Sequence, residues 1–380
     1  MANQATQGDQ NNVNEAVLHV AFELSKNEWK LAFSDGSQRK PRIVTIEARR
    51  LDLVQLEIER ARKRFKLTEQ AEVHSCYEAG RDGFWIHRAL TDLGVRNIVV
   101  DAASIEVNRR ARRTKTDRLD AVKLVEQLVR YRRGERRVWA VARVPNLVDE
   151  DARHLHRELA VLKKERCQHR VRIQSLLFAH GIDQKVCRKF DEILDGLRTW
   201  EGKPLPAGLK QRILREYKRL RQTEEQIREV ERSRKELLAT ESTVAIGKAR
   251  LISELSGIGI PSAWILVMEF FGWRQFANRR QVAAAAGLTP TPYQSGTSSI
   301  EQGICKIGNK RVRTLMVELS WLWLRFQPQS KLSLWYEQRF GSGGPRMRRV
   351  GIVALARRLL IELWHLVEHG QIPAGAKMAA

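Results

Sequence analysis

The sequence contains little cysteine and no long apolar run. Its four cysteines are Cys76, Cys167, Cys187 and Cys305. They are widely separated and form no CxxC pair, which argues against a zinc site or a disulfide framework. No segment reaches the roughly 18 apolar residues of a membrane-spanning helix, and residues 1–15 are polar, without the apolar centre of a signal peptide. These absences predict a cytoplasmic chain with reduced thiols.

Acidic residues are also in deficit. The 380-residue chain has 68 lysines and arginines against 44 aspartates and glutamates, which gives a net charge of +24. Such an excess favours a polyanionic partner, because an acidic small molecule would require only one local cluster of cations. Nucleic acid is therefore the leading expectation, and an anionic membrane surface is the main rival. With 43% hydrophobic and 29% charged residues, the chain has the composition of a folded globular protein.

Residue patterns divide the sequence into five parts. They predict a disordered lead at 1–15, an α/β domain at 16–145, a helical arm at 146–247, a mostly helical domain at 248–370 and a tail at 371–380. In the α/β domain, three apolar runs separated by turn signals predict an antiparallel meander. Strands then alternate with amphipathic helices, which is typical of α/β folds.

Two long amphipathic helices are predicted within 146–247. Apolar residues recur at helical spacing on both sides of residues 181–208, and that segment contains Pro204 and Pro206, so it cannot be one helix. The two helices are expected to pair as an antiparallel hairpin. Arg166 and His169 fall at positions of the seam, so a narrow, charged coiled-coil arm is expected rather than a compact core.

A glycine-rich turn at 255–259 opens the last region and is followed by Pro261 and an apolar helix. The pattern resembles a helix-hairpin-helix element, whose backbone N–H groups can bind DNA phosphates. A plain turn between two helices fits the same residues. Loops are predicted at 287–308 and 341–345.

Four carboxylates form the most specific constellation. Glu23 lies in the first strand, Glu78 ends a later strand, and Asp117 and Asp120 share one face of a helix start. Mg²⁺ prefers hard oxygen ligands, and a site of this kind can hold one or two ions for phosphoryl transfer. An unpaired carboxylate inside an apolar strand is costly, so Glu23 favours this interpretation. The alternative is that the four are ordinary surface charges and that Asp117 only caps its helix.

A densely basic segment lies beside these acids. Its cations are Arg109, Arg110, Arg112, Arg113, Lys115 and Arg118. Such a density of positive charge would suit a nucleic-acid backbone. A solvated basic loop is the alternative interpretation of the same residues.

Ser295 lies in a segment, residues 287–297, that its glycines and prolines predict to be a loop. A basic turn leading into a helix follows, with the cations Lys306, Lys310, Arg311 and Arg313. A nucleophilic serine needs cations near the phosphate that it attacks, and these four could supply them. A serine followed by glycine is more often an ordinary turn residue. No GxSxG elbow or readable Ser-His-Asp order is present, which argues against an esterase.

Two groups of residues resemble the DEDD transposases, the insertion-sequence 110/1111 family that includes the Piv-type DNA invertases. The first group comprises Glu23-Leu24-Ser25-Lys26, Tyr77-Glu78-Ala79 and the run from Lys115 to Ala121. The second comprises the turn at 255–259, Ala285-Ala286-Gly287-Leu288, Ser295-Gly296 and the run from Ile307 to Arg313. Each motif is modest alone, but the ordered set covers nearly the whole chain.

The resemblance implies an α/β plus α architecture with a RuvC-like (RNase H-type) N-terminal domain, a coiled-coil arm and a mostly helical C-terminal serine domain. It implies Mg²⁺ at the DEDD positions, which here are Glu23, Glu78, Asp117 and Asp120. It also implies that Ser295 is a nucleophile that forms a phosphoserine link to DNA. The implied partners are donor and target DNA, a structured guide non-coding RNA from the same element, and further copies of the chain, as a dimer or tetramer through the arm.

One position departs from the family pattern. The first acid is usually aspartate, whereas this sequence has Glu23, whose extra methylene moves the carboxylate by about 1.5 Å. Because Mg²⁺ demands strict geometry, the departure concerns metal binding rather than the fold.

Three functions are therefore compared. The leading one is an RNA-guided DNA recombinase that acts through Ser295. The second is a RuvC-like, Mg²⁺-dependent, structure-specific endonuclease without a covalent intermediate, in which Ser295 is structural. The third is a non-catalytic nucleic-acid-binding protein with decayed acids.

Overall fold

A computed structural model describes residues 17–37, 39–105, 116–295 and 298–379. The chain divides between Val144 and Pro145 into two compact units. We call the part before this boundary the sheet unit and the part after it the helical unit. None of the described helices is both long enough and apolar enough to cross a membrane.

The sheet unit contains six strands and three α-helices within its described residues. In chain order they are β1 (Leu18–Leu24), β2 (Glu28–Ser34), β3 (Arg42–Glu47), α1 (Leu51–Phe65), β4 (Val73–Glu78), α2 (Trp85–Asp92), β5 (Arg96–Val100), α3 (Asp117–Arg132) and β6 (Val141–Ala142). A short 3-10 helix, Ala102–Ser104, follows β5. The predicted meander and the alternation of strands and helices are confirmed. The two-residue strand β6 was not predicted, because it is too short to show a periodic pattern.

The six strands form one sheet in the order β3-β2-β1-β4-β5-β6. β1 pairs with β2 in antiparallel fashion and with β4 in parallel fashion, so it lies inside the sheet. Its first five residues are buried, as expected for a strand covered on both faces. α3 packs on the sheet through a core that includes Ala21, Cys76, Ala121 and Leu124.

The helical unit contains nine α-helices and two strands within its described residues. In chain order they are α4 (Leu147–Phe178), α5 (Phe190–Leu194), α6 (Ala207–Thr240), α7 (Val244–Ser253), α8 (Ile260–Leu266), α9 (Arg279–Ala285), β7 (Pro290–Ser295), β8 (Ser298–Ile304), α10 (Lys310–Phe326), α11 (Lys331–Tyr336) and α12 (Pro345–His369). Two π-helical turns, Val267–Phe271 and Glu337–Gly341, follow α8 and α11. The mixed α/β plus α class expected from the sequence is confirmed.

The two long helices α4 and α6 pair in antiparallel fashion, as predicted. Lys163 forms an ion pair with Glu231, and Arg170 forms one with Glu224. Residue numbers therefore rise along α4 while those of the partners on α6 fall, as in an antiparallel pair. His169, a polar position of the predicted seam, bonds Glu216 through Nδ1 at 2.8 Å. The segment between the helices is not a bare loop, because Phe190 and Leu194 of α5 are buried in a small core at that end.

Helices α7 through α12 contribute to one large apolar core, and the first turns of α4 also pack in it. Ala152 of α4 is buried there, and its carbonyl accepts a hydrogen bond from Trp264 Nε1 at 3.3 Å. Residues 371–379 lie across the glycine-rich turn, since the Ser256 N–H donates to the Lys377 carbonyl at 3.0 Å. The Gln327 side chain fastens the same two segments by donating to the Ser256 carbonyl at 2.8 Å.

The loop predicted at 287–308 is wrong in part, because β7 and β8 form an antiparallel hairpin there. Glycines and prolines suggested a loop, but a two-stranded ribbon tolerates proline at a strand start and at a bulge. Pro290 is the first residue of β7, and the register shifts between Pro290 and Pro292. We call residues 290–304 the serine hairpin.

Candidate functional site

The first candidate site is the edge of the sheet where β1 and β4 end. The two strands are parallel neighbours, with Phe22 opposite Tyr77. Glu23 and Glu78 follow these residues directly, so they occupy the next position of the register. Paired residues of parallel strands point to the same face of a sheet, so the two glutamates share one face. Glu23 is half-buried and Glu78 is exposed.

That face is the one covered by α3. Side chains alternate along a strand, and Ala21 and Cys76, two residues before the glutamates, pack in the core beneath α3. The helix runs antiparallel to β4, because Cys76 Sγ lies 3.8 Å from the Leu124 carbonyl oxygen and His74 Nε2 lies 3.4 Å from Arg132 Nη2. The first turn of α3 is therefore directed toward the strand ends.

Asp117 and Asp120 lie in that first turn. Asp117 is exposed and Asp120 is half-buried. The alternative that Asp117 caps the helix is wrong, because the cap is Thr116, whose Oγ1 accepts the Leu119 N–H at 3.3 Å. We call Glu23, Glu78, Asp117 and Asp120 the carboxylate edge. Sequence reasoning placed all four on the right elements.

The donor chemistry of the carboxylate edge fits Mg²⁺, because all four side chains offer hard oxygen ligands. Their positions fit less closely. Among the described residues, no three His, Cys, Asp or Glu side chains are grouped so that they could hold a metal ion. The four acids share an edge and a face, and ion binding would require them to draw closer together.

The basic segment beside α3 lies mostly outside the described residues. This applies to Arg109, Arg110, Arg112, Arg113 and Lys115. Arg118 is described, and it is exposed in the first turn of α3.

The second candidate site is the serine hairpin. Ser295 is the last residue of β7, and its backbone pairs with that of Ser298 at the start of β8. Only its backbone belongs to the described structure. Ser295 lies six positions after Thr289 at the hairpin base, which corresponds to roughly 20 Å of extended strand.

The hairpin base is fixed by a close approach of two segments. The Cys305 N–H donates to the Thr289 carbonyl at 2.8 Å, and the Asn309 N–H donates to the Ala285 carbonyl at 2.9 Å. Gly308 has φ +129°, and a Cβ there would collide with the Ala285 carbonyl. Only glycine combines this backbone angle with this contact. The AAGL and IGNK runs are thus the two halves of one anchor.

The predicted phosphate-binding cations surround this anchor rather than Ser295. Lys306 and Lys310 are exposed. Arg313 is half-buried, and its Nη1 donates to the Ala286 carbonyl at 3.2 Å, so it also holds the anchor together. Along the hairpin, these side chains lie at the opposite end from Ser295.

Arg311 leads to a residue that sequence reasoning missed. Its Nη1 donates to Glu269 Oε1 at 2.8 Å, and Glu269 is only 3% exposed. From α4, His156 Nε2 lies 2.7 Å from the same oxygen, and Arg157 donates through Nε at 2.8 Å. Arg157 Nη2 donates to Oε2 at 3.0 Å. We call Glu269, His156, Arg157 and Arg311 the buried carboxylate cluster.

Electrostatics keep Glu269 ionised. Burial alone would raise its pKa, but hydrogen bonds from His156 and Arg157 outweigh burial and hold the pKa well below its usual range. Glu269 lies in the π-helical turn 267–271, and such turns often mark functional positions. The only signal in the sequence was a glutamate within the apolar run Val-Met-Glu-Phe-Phe.

Arginines also gather in the arm. A cavity of about 340 Å³ lies between α4, α6 and the segment that follows α4. Five arginines and two glutamates line it, so it is basic; they are Arg166, Arg170, Arg188, Arg221, Arg228, Glu224 and Glu231. Arg166, the other polar position of the predicted seam, therefore borders this cavity.

The helix-hairpin-helix expectation has a mixed outcome. A turn does connect α7 to α8, with Gly257 at φ +90°. The turn packs against the chain itself, because a Cβ at Gly257 would meet the Phe326 side chain at 3.0 Å. The Ser256 N–H already donates to the Lys377 carbonyl of the C-terminal segment. This backbone group therefore fits a plain turn between two helices better than a phosphate-binding hairpin.

Comparison with known proteins gives a consistent result. Residues 249–334 match the family described as Transposase IS116/IS110/IS902. The chain is 41% identical over 377 residues to the candidate transposase y4rJ of Sinorhizobium fredii, which covers 95% of this chain and 94% of that protein.

Two more distant relatives carry insertion-sequence names. The transposase for IS1328 of Yersinia enterocolitica is 28% identical over 232 residues, covering 60% of this chain and 66% of the relative. The transposase for IS1111A of Coxiella burnetii is 30% identical over 133 residues, covering 33% of this chain and 36% of the relative. The matched family segment contains both the serine hairpin and Glu269.

Proposed function

The chain belongs to the transposase IS116/IS110/IS902 family, and from this premise we propose that it cuts and rejoins DNA through a covalent bond between Ser295 and a DNA phosphate. The observation that carries the proposal is the serine hairpin. Ser295 ends β7 beside the start of β8, on a ribbon whose base is fixed by the Gly308 anchor. A rigidly based hairpin can present a hydroxyl to an extended substrate.

The proposed step exchanges one ester for another. The Ser295 hydroxyl attacks phosphorus, an Oγ–P bond forms, and the P–O bond to a deoxyribose oxygen breaks. The hydroxyl proton leaves to a base, and the leaving deoxyribose oxygen takes up a proton. Because an ester replaces an ester, a DNA hydroxyl can reverse the step on another strand, and this rejoins DNA without a nucleotide cofactor.

The sheet unit is proposed to be RuvC-like, with an RNase H-type fold. Its antiparallel meander, its three parallel strands β1, β4 and β5, and its carboxylate edge support this assignment. Glu23, Glu78, Asp117 and Asp120 would hold Mg²⁺, which when bound supplies positive charge to a phosphate under attack. The residues themselves contribute hard oxygen donors from two neighbouring strands and one helix start. The longer side chain of Glu23 supplies one of these donors from β1.

The partners are proposed to be donor and target DNA together with a structured guide RNA encoded by the element. The net charge of +24 supports the binding of more than one polyanion. Copies of the chain are proposed to associate through α4 and α6 as a coiled-coil arm. Val161, Val171 and Phe178 of α4 are each more than half exposed, and they provide apolar surface for a second copy.

Substitution of Ser295 tests the function directly. The wild-type chain, incubated with DNA carrying the element's ends and with Mg²⁺, should yield a protein–DNA adduct that survives denaturation. Ser295→Ala should abolish it, whereas Ser298→Ala, a matched change at the paired position of β8, should retain it. Cleavage at the wild-type rate by Ser295→Ala would instead establish the endonuclease without a covalent intermediate. DNA binding without any cleavage in the wild type would favour the non-catalytic alternative.

The guide RNA has a separate test. Nucleic acid that co-purifies with the chain would be extracted and sequenced. A single structured RNA from the neighbourhood of the coding region is expected. Recovery of only heterogeneous cellular RNA would contradict RNA guidance and would leave the serine chemistry untouched.

A further inference from the structure

The buried carboxylate cluster holds more positive charge than it neutralises. Glu269 supplies one negative charge, while Arg157 and Arg311 supply two guanidinium cations. A buried ion pair is expensive to keep, since both charges lose their hydration. Glu269 neutralises only one of the two guanidinium cations. The positive charge that remains on the exposed side of the cluster therefore points to an anion that binds there.

The two arginines retain donors for such an anion. A guanidinium has five N–H groups. Within the described part of the chain, the hydrogen bonds that these guanidinium groups donate all go to Glu269: one from Arg311 and two from Arg157. Their side chains are 51% and 35% exposed, whereas Glu269 is covered. The remaining N–H groups can therefore reach a ligand that the carboxylate cannot.

The surroundings favour an anion as well. Arg311 lies in the first turn of the 17-residue helix α10, whose N-terminal end carries a partial positive charge. The Asn309 side chain caps this helix and also donates to the Glu269 carbonyl at 3.2 Å. Lys310 is exposed beside it. Arg153, one turn before Arg157 on α4, adds a further cation, stacked 5.2 Å from the Trp273 ring centre.

We propose that Arg157 and Arg311, held in place by Glu269, bind one phosphodiester group of DNA at the base of the serine hairpin. This rests on the proposed function, which makes DNA the substrate. The base lies roughly 20 Å along the strands from Ser295, so the bound phosphate flanks the one that Ser295 attacks. Glu269 is a positioning residue, because it acts through the two arginines. The paired guanidinium forks suit the tetrahedral oxygens of a phosphate.

The sign of one substitution separates positioning from simple attraction. Glu269→Gln removes a negative charge next to the proposed DNA site. If only net charge mattered, the change would tighten DNA binding. If Glu269 orients the two guanidinium groups, the same change weakens binding, because the freed side chains lose their fixed geometry.

Salt titration of DNA binding tests the site. Full-length protein carrying Ser295→Ala would be measured by fluorescence anisotropy with a double-stranded DNA oligonucleotide, so the result does not depend on chemistry. Arg311→Gln and Arg157→Gln should each weaken binding about tenfold and lower the slope of log K against log salt by about 1. Glu269→Gln should weaken binding about fivefold despite the added net positive charge. Arg311→Lys should fall between wild type and Arg311→Gln.

The control is Arg232→Gln, which removes the same charge from an exposed position of α6. It should change affinity by less than about twofold. Thermal melting identifies any variant that fails to fold; if Glu269→Gln is one, Glu269→Asp replaces it, with a smaller loss expected. Three results would each overturn the proposal. The first is that the arginine variants lose no more affinity than the control, and the second is that folded Glu269→Gln binds DNA more tightly. The third is that the variants lose affinity for an RNA hairpin but not for DNA. Loss of the covalent adduct in Ser295→Ala is measured in a separate experiment. The phosphate site at Arg157 and Arg311 and the covalent role of Ser295 can therefore fail independently.

Discussion

The sheet unit and the helical unit each place carboxylates at a candidate site, but in opposite environments. Glu78 and Asp117 of the carboxylate edge are exposed, and the four acids share one edge and one face of the sheet. Glu269 of the buried carboxylate cluster is covered and accepts hydrogen bonds from two arginines. The same functional group is therefore proposed to have two uses. The acids at the edge of the sheet would bind a metal ion, whereas Glu269, buried beside Arg157 and Arg311, accepts hydrogen bonds that hold their guanidinium groups in place.

The largest expected contrast is in activity. Asp120→Asn or Glu78→Gln should lower DNA cleavage by about 100-fold or more, because several kcal/mol of charge stabilisation would be lost. For Glu78→Gln, at an exposed position, the folding free energy should change by less than about 0.5 kcal/mol. Cleavage assays and urea unfolding would measure the two effects. Glu59→Gln, an exposed change on α1, is the control. Full activity of both variants would remove the carboxylate edge from the mechanism.

The next contrast is in stability. Glu269→Ala should destabilise the helical unit by about 3–5 kcal/mol, because it leaves Arg157 and Arg311 without their buried counter-charge and His156 without its hydrogen-bond partner. Glu236→Ala, at an exposed position of α6, should have little effect. Chemical unfolding followed by hydrogen exchange of α8 and α10 would localise the loss. A change below about 1 kcal/mol would show that Glu269 is not a structural centre.

The two units should also respond differently to acid. Burial, and then the neighbouring His74, lowers the pKa of His19 in the sheet unit to about 4. The unfolded chain, with an ordinary histidine pKa near 6.5, binds more protons, so this contribution is complete above about pH 6.5 and is lost as pH falls toward 4. The loss approaches roughly 3 kcal/mol at about pH 4.

Hydrogen exchange of β1 between these pH values would measure this loss in the sheet unit. His19→Gln should flatten the dependence. Glu269 has a lowered pKa, so its own contribution persists to more acid conditions than an ordinary carboxyl would allow. An unchanged acid response of β1 in His19→Gln would assign the effect to other groups.

The smallest expected effect concerns the hairpin anchor. Gly308→Ala should cost about 1–3 kcal/mol, because alanine resists the positive φ and its Cβ meets the Ala285 carbonyl. Gly208→Ala, a glycine in the first turn of α6 with open space around it, should be neutral or slightly stabilising. Thermal melting compares the two variants. Equal melting temperatures of the two variants would mean that the backbone at Gly308 accommodates a Cβ at little cost.

The elements that carry the four acids of the carboxylate edge could be predicted, because local patterns determine those elements. Glu23 lies within an apolar strand, Glu78 ends another, and Asp117 and Asp120 are related by one helical turn. The serine hairpin was predicted as a loop because its glycines and prolines are typical of loops. Its two strands are defined by their pairing with each other, which the sequence pattern does not show. Glu269 could not be predicted, because its partner His156 lies 113 positions away. Within an apolar run, a single acid gives no hint of which distant cations will surround it.

The central claim is that Ser295 becomes covalently bonded to DNA, and mass spectrometry of the trapped adduct tests it most directly. After nuclease and trypsin digestion, the tryptic peptide 281–306 contains Ser295 together with Ser298 and Ser299. We expect this peptide to carry a nucleotide remnant on Ser295, and the remnant to be absent without DNA or in Ser295→Ala. A remnant on Ser298, Ser299 or another peptide, or cleavage of DNA with no modified peptide, would contradict the account.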